Sequence, residues 1–201
     1  MLLRVVTAAD DQDLTDIETL KEELGITESG QDEKLERLIN EASADCARFC
    51  NRVFIQETVE EIHRDVRDLK AFSLDRFPVP SITSVAVDGT ALATTEYEVE
   101  AESGLLFQLS GESRVCWSGT KIVITYVGGY EFEDLPPDIG RACLEQIKAL
   151  HFSAARDPLV KATDIPGVMS KQYWVGGVGD DAAVCPAAAA RLESYRKPST
   201  P

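Results

Sequence analysis

Leu35-Glu36-Arg37-Leu38-Ile39-Asn40-Glu41-Ala42-Ser43-Ala44-Asp45-Cys46-Ala47-Arg48-Phe49-Cys50-Asn51-Arg52-Val53 is the stretch on which the reading of the architecture turns. Its apolar members Leu35, Leu38, Ile39, Ala42, Cys46, Phe49, Cys50 and Val53 recur at helical spacing and lay one unbroken stripe over about five turns. The spacing predicts a long helix from Gln31 to Asn51. Just upstream, Leu14, Ile17, Leu20 and Leu24 make a second stripe. Thr15 and Glu18 have the spacing of a capping box, and Gly25 stands where a glycine ends a helix. Two antiparallel helices joined by a short polar loop follow from this.

Downstream the period changes. Between Gln56 and Tyr130 short β-rich runs alternate with turn signals, as in an antiparallel β unit. Asp88-Gly89 between Val85-Ala86-Val87 and Thr90 is a hairpin signal. Tyr97 and Val99 alternate with Glu96, Glu98 and Glu100, which predicts a strand with one wet face. Lys121-Ile122-Val123-Ile124-Thr125-Tyr126-Val127 is rich in β-branched residues and stops at Gly128-Gly129. Pro78 and Pro80 bracket Val79, which suits an edge or a crossover.

Helical spacing returns after Pro136-Pro137, with Ile139, Cys143, Ile147 and Leu150 on one stripe and Pro137 in the first turn. From Asp157 to Pro186 no period holds, and a stretch of that length is expected to be functional or to be fixed by a partner. Pro186 opens a last short helix, Ala187 to Arg196. The predicted fold class is therefore α+β. A helical bundle forms the core, from two long N-terminal helices, one central helix and one short C-terminal helix, and an antiparallel β unit is inserted in it. The corresponding domains are 1–55 (helix pair), 56–130 (β insertion), 131–156 (third core helix) and 157–201 (flexible segment and C-terminal docking helix).

The 201 residues suit one or two domains and are enough to bury a core without staples. With 44% hydrophobic and 27% charged residues, the composition is that of a globular protein. Thirty-five Asp and Glu against twenty Lys and Arg leave a formal charge of −15, the wrong sign for a surface that grips phosphate. Residues 10–61 alone carry sixteen acidic and five basic residues, a balance of −11. The tail has Arg191, Arg196 and Lys197 against Glu193, so the front of the chain is acidic and the back basic. No apolar run approaches the roughly 20 residues of a membrane span, and Met1-Leu2-Leu3-Arg4-Val5-Val6 lacks the apolar stretch of a secretory signal. Five scattered cysteines are expected to be reduced thiols in a cytosol-like compartment.

Catalytic motifs fail one by one. Gly176-Gly177-Val178-Gly179 lacks the Lys-Ser or Lys-Thr of a phosphate loop and reads as a plain loop. Asp10-Asp11-Gln12-Asp13 lacks the glycine and terminal Glu of a calcium loop, and Gly111-Glu112-Ser113 lacks the second glycine of a nucleophile elbow. Cys46 and Cys50 are one turn apart but have no Cys-x-x-Cys or His-x-x-x-His partner, and both lie on the apolar stripe, so they read as core residues rather than zinc ligands. Cys143 and His151 are about 12 Å apart along one predicted helix, too far for a nucleophile and its base. His63, among charges, reads as a surface residue, and no pair of carboxylates is marked out for acid–base work. The expectation is no enzyme, no cofactor and no metal. Trp174, beside Tyr173 in the irregular segment, suits either an interface anchor or a ring folded back on the chain's own core.

The order of these blocks resembles the head–tail connector (adaptor) proteins of tailed phages and gene transfer agents. The resemblance lies in Leu20-Lys21-Glu22-Glu23-Leu24-Gly25-Ile26, Leu35 to Ala42, Pro80-Ser81-Ile82-Thr83-Ser84-Val85 with Asp88-Gly89, and Ile124 to Tyr130. It continues through Leu135-Pro136-Pro137-Asp138-Ile139 and the closing Ala189, Arg191, Leu192 and Tyr195. Each motif is a soft pattern of hydrophobics and turns, and their sequence of appearance over most of the chain carries the likeness.

The resemblance implies a homo-oligomeric ring of about a dozen copies at the virion neck, beneath the capsid portal. The portal would be gripped through the C-terminal segment, by Tyr173, Trp174, Arg191, Leu192, Tyr195, Arg196 and Lys197. A tail-side neck protein, stopper or tail terminator, would be met on another face. DNA would pass through the lumen without specific binding, and no membrane would be involved. Opposite charge at the two ends of the chain would help neighbouring copies meet head to tail. A segment ordered only on docking would meet its folding cost from the new contacts. The alternative is a non-catalytic module whose β portion binds a ligand or a surface.

Overall fold

The structure is a computed structural model that describes residues 1–153, 162–165, 169–172 and 184–197. In chain order the elements are β1 (Leu2–Thr7), α1 (Ile17–Leu24), α2 (Asp32–Cys50), β2 (Glu57–Leu69), β3 (Phe72–Ser73), β4 (Ser81–Val87), β5 (Thr90–Ala91), β6 (Tyr97–Glu100) and β7 (Leu105–Ser110). They continue with β8 (Ser113–Val115), β9 (Trp117–Gly128), a 3₁₀ turn at Phe132–Asp134, α3 (Pro137–Ser153), β10 (Ala162–Ile165), β11 (Met169–Gln172) and α4 (Pro186–Leu192), closed by a 3₁₀ turn at Glu193–Tyr195. The chain divides into two compact units, 1–11 with 53–134 and 12–52 with 135–201.

The first unit is all β. Five strands run in the order β1-β2-β9-β4-β5, and β3-β7-β6, with β8 beside β7, make a second sheet. Every ladder among them is antiparallel. Alternate residues of each strand turn inward, so Val59, Val85, Ile122, Ile124 and Tyr126 of one sheet and Phe72 and Leu106 of the other join one apolar core. Trp117 is at its centre and donates its indole N–H to the Leu106 carbonyl at 3.1 Å. The Asp88-Gly89 hairpin forms with both residues at positive φ, 51° and 86°, the two-residue turn whose twist matches its strands. Val79 lies outside any strand, fully buried, with its amide held by the Ala101 carbonyl.

The helices make the second unit, in which α2 packs against α1, α3 and α4, and α3 against α4. The stripe on α2 buries Leu35, Ile39, Ala42, Cys46, Phe49 and Cys50, while Leu38 and Val53 stay half-exposed. Gly25 ends α1 at φ +67°, as its place in the sequence predicts. The N-cap differs by one residue from the expected box. Thr15 is buried, and Asp16 caps α1 by accepting from the Thr19 amide and hydroxyl, each at 2.7 Å. Burial alone would raise the Asp16 carboxyl, but these hydrogen bonds outweigh it and hold the pKa below the usual value. Pro137 opens α3 and Pro186 opens α4. The last helix ends at Leu192, short of the expected Arg196, and a 3₁₀ turn carries the chain on.

The predicted architecture, a helical bundle core with an inserted β unit, is not the one this chain adopts. Nine strands in two antiparallel sheets hold a core of their own, and the helices make a separate unit. The sheet is also not drawn from one insertion, because β1, ahead of both N-terminal helices, pairs with β2 from Leu2↔Ile62 to Thr7↔Thr58. Pairing across some sixty residues leaves no local periodicity, whereas the stripe on α2 is visible at a glance. Within 157–186, where no period holds, β10 and β11 pair antiparallel.

Candidate functional site

Basic side chains near the end of the chain are held by the helices they pack on. Leu192 is fully buried, and its carbonyl takes the Cys50 thiol at 3.7 Å. The amide of Lys197 donates to the Cys50 carbonyl at 2.8 Å, which ties the end of the described chain to the end of α2. Burial above all pushes the Cys50 thiol up to about 12. Arg191 reaches Glu145 at 3.1 Å and Asp138 at 3.5 Å, both on α3. The Arg196 guanidinium lies 4.7 Å above the Phe49 ring and pairs with Glu193. Tyr195 is half-exposed. At the start of this segment the Cys185 amide donates to Oε1 of the buried Gln146, whose amide nitrogen reaches Asp45 at 3.0 Å.

The structure therefore brings Arg191, Leu192, Tyr195, Arg196 and Lys197 together on one folded segment. Leu192 anchors it, and Arg191, still 40% exposed, faces outward. Tyr173 and Trp174 lie outside the described residues.

The sequence reading missed a buried polar network in the β unit. Glu61 is fully buried on β2. Its Oε1 accepts from the Tyr126 hydroxyl and the Asp75 amide, both at 2.6 Å, and its Oε2 from Nε2 of His63 at 3.0 Å. The Tyr126 oxygen accepts in turn from the Arg76 amide at 3.0 Å, and Arg76 pairs with Asp75 and with Glu57. Burial, then the Glu61 charge, pushes the Tyr126 hydroxyl well above the usual tyrosine range. His63 is not the surface residue it was expected to be, since its ring sits 4.3 Å from that of Phe72 and is largely covered. The one available signal was two carboxylates, Glu57 and Glu61, in phase with Val59 on a strand, and charges in phase with core residues read as the wet face. Fully enclosed and satisfied, Glu61 ties β2, β9 and the Leu74–Phe77 turn together.

Cys46 and Cys143 are buried in the helical unit, and Ser43 Oγ lies 3.5 Å from Cys143 Sγ. Contact with Cys143 and burial push the Cys46 thiol far up, so Cys46 behaves as a core group rather than a nucleophile. Among the described residues no three His, Cys, Asp or Glu side chains gather as metal ligands would.

The β unit also carries an open pocket of about 330 Å³. Pro78, Pro80 and Tyr130 line it together with Glu102, Glu131 and Asp134. Gly129 lines it too, at φ +110°, where an added Cβ would meet the Phe54 and Ile55 carbonyls at 2.8 Å. None of the Glu61 network lines this pocket.

Residues 13–149 match a protein-family model described as head completion protein. No curated protein matches the chain. Three solved structures share its fold. A chain in the neck of an empty gene transfer agent particle, computed with C6 symmetry, aligns with a TM-score of 0.61 at 14% identity. One in the neck of a native particle, computed with C12 symmetry, gives 0.58 at 16%, and one in the virion of a native gene transfer agent gives 0.64 at 16%. In each case 100% of this chain and 97% of the other are covered. At these identities the likeness is one of fold.

Proposed function

This chain belongs to the head completion protein family, and we propose that it is a non-enzymatic subunit of the virion neck, one copy in a ring that joins the capsid portal to the tail. The observation that carries this reading is the extent of the fold likeness. The whole of this chain aligns with 97% of chains from gene transfer agent necks, so the β unit and the helical unit both belong to the shared plan. Necks computed with C6 and C12 symmetry favour a ring of about twelve copies here too. A net charge of −15 suits a lumen through which DNA passes without adhering, because like charges repel.

The C-terminal segment is the surface proposed for the portal. Leu192 fixes it to α2 and α3, while Arg191, Tyr195, Arg196 and Lys197 supply cationic and aromatic groups at its outer side, with Tyr173 and Trp174 in the stretch before it. Arginine and tyrosine on a rigid support are the residue types that dominate interface energetics. A tail-side neck protein would meet another face of the ring.

Negative-stain images of the purified chain mixed with its cognate portal test the proposal. A ring capping one end of the portal is expected. Arg191→Gln with Arg196→Gln should weaken that attachment by on the order of 100-fold, compared at a temperature where circular dichroism shows the variant folded, because both side chains also pair within the chain. Portals that remain bare at saturating protein would overturn it.

A further inference from the structure

The β unit carries two surfaces of different character, and each holds charged side chains that make no ion pair among the described residues. Along the second half of β2 and just past its end lie Arg64, Arg67 and Lys70, all exposed and in no ion pair among the described residues. Arg64 stands directly opposite Lys121 in the β2–β9 register. Directly opposed residues of an antiparallel pair share a face, and two cations there destabilise the sheet unless an anion comes between them. Asp65, Asp68 and Asp88 are nearby, but Asp88 is already held by the Thr120 hydroxyl and the Lys121 amide. The same end exposes the apolar side chains of Leu69 and, on β1, Leu2.

At the near end of β2 is the 330 Å³ pocket, where the Gln56 amide donates to the Tyr130 carbonyl. Its carboxylates, Glu102, Glu131 and Asp134, are in no ion pair among the described residues, and Gly129 to Leu135 contains no Lys or Arg. Phe132 is exposed beside it. The paired cations of this unit are elsewhere, Arg76 with Glu57 and Asp75, Arg114 with Glu98 and Glu100. Arg64 stands seven residues along β2 from Glu57, about 23 Å from the pocket end of the strand. Exposed apolar groups rimmed by unpaired charge mark interaction surfaces, and a positive one and a negative one at opposite ends of one body form a heterologous, head-to-tail pair.

We propose that the occupant of the acidic pocket is a second copy of this chain, which inserts the basic end of its β2 there. Arg64 and Lys121 of one copy then face Glu131 and Asp134 of the next, with Leu69 and Leu2 against Phe132. The contact rests on the ring reading given above and names the surfaces that would close such a ring. It also removes the like-charge opposition between Arg64 and Lys121, a cost the lone chain carries.

Paired charge reversals test it on the full chain. Arg64→Glu with Lys121→Glu makes both ends acidic, and Glu131→Lys with Asp134→Lys makes both basic. Each variant alone should associate on the order of 100-fold more weakly than the natural chain by sedimentation across a concentration series. Mixed in equal amounts, they should recover assembly, because every acidic end then meets a basic one around an alternating ring. A zero-length carbodiimide should link Lys70 or Lys121 of one isotopically labelled copy to Glu131 or Asp134 of an unlabelled one. Variants that assemble as the natural chain does would overturn the contact and leave the ring standing. Variants that dissociate but are not rescued by mixing would overturn the charge pairing. A natural chain that stays monomeric and unlinked at millimolar concentration would also overturn it, and the portal images then judge the ring separately.

Discussion

The Tyr126 hydroxyl donates to Glu61 Oε1 over 2.6 Å inside the β unit. In the β2–β9 ladder Glu61 faces Ile124 and Tyr126 faces Val59, so the bond runs diagonally between neighbouring strands. It allows a carboxylate to lie in an apolar core, where a charge without partners would be far costlier than any gain from the strand it sits on.

Tyr126→Phe keeps the ring and removes this donor. Glu61 then retains the Asp75 amide and His63 but loses one of two bonds to Oε1. The expected loss is about 1–3 kcal/mol, read as a lower urea midpoint at unchanged slope.

Alkaline pH should weaken the fold through the same residue and through Cys50. Both groups have folded pKa values raised above their unfolded ones, by burial first in each case, so each keeps its proton longer when folded. Their contributions are complete below the unfolded values and fall away as pH rises, from about 9 towards about 12 for Cys50 and from about 10 upward for Tyr126. Unfolding midpoints measured from pH 8 to 11, values set by about those two unfolded pKa values, should decline in the natural chain. Cys50→Ala should flatten the lower part of that decline and Tyr126→Phe the upper part.

Leu192→Ala empties a fully buried site between α4 and the longer helices. A cost of about 2–5 kcal/mol is expected. Cutting the chain before Pro186 should destabilise the helical unit for the same reason, since it also removes the Lys197–Cys50 bond and the Arg191–Glu145 pair. Limited proteolysis of α3 in the shortened chain checks this, and an unchanged digestion rate would contradict the packing.

Gly128→Ala places a Cβ 2.6 Å from both the Cβ and the carbonyl oxygen of Arg76. Backbone has to move, and it is the backbone whose amide holds Tyr126. The variant should lose about 1–3 kcal/mol, the range for overpacking, and show altered near-ultraviolet dichroism from Trp117 and Tyr126.

Much of the helical unit is legible because its information is local. The stripe on α2, the glycine after α1 and the prolines opening α3 and α4 each act within a turn or two of where they stand. The same holds for the Asp88-Gly89 hairpin. The proposed docking segment was legible as basic and aromatic, but not as a segment folded on its own helices. Leu192 reads as one apolar residue among alanines until α2 and α3 are placed against it.

What the amino-acid order settled alone is therefore the kind of the helices and of the best-marked strands and, through their succession, the family. Tertiary structure alone decided that the strands form two sheets with a core of their own, that β1 joins from ahead of the helices, and that Glu61 lies inside. The physical reason is range. A helix closes its hydrogen bonds four residues away and writes its pattern into adjacent sequence, whereas a strand takes its partner, and a buried carboxylate its donors, from anywhere in the chain. Glu61 is held by Asp75 and Tyr126, fourteen and sixty-five residues distant, and no window of sequence contains them all.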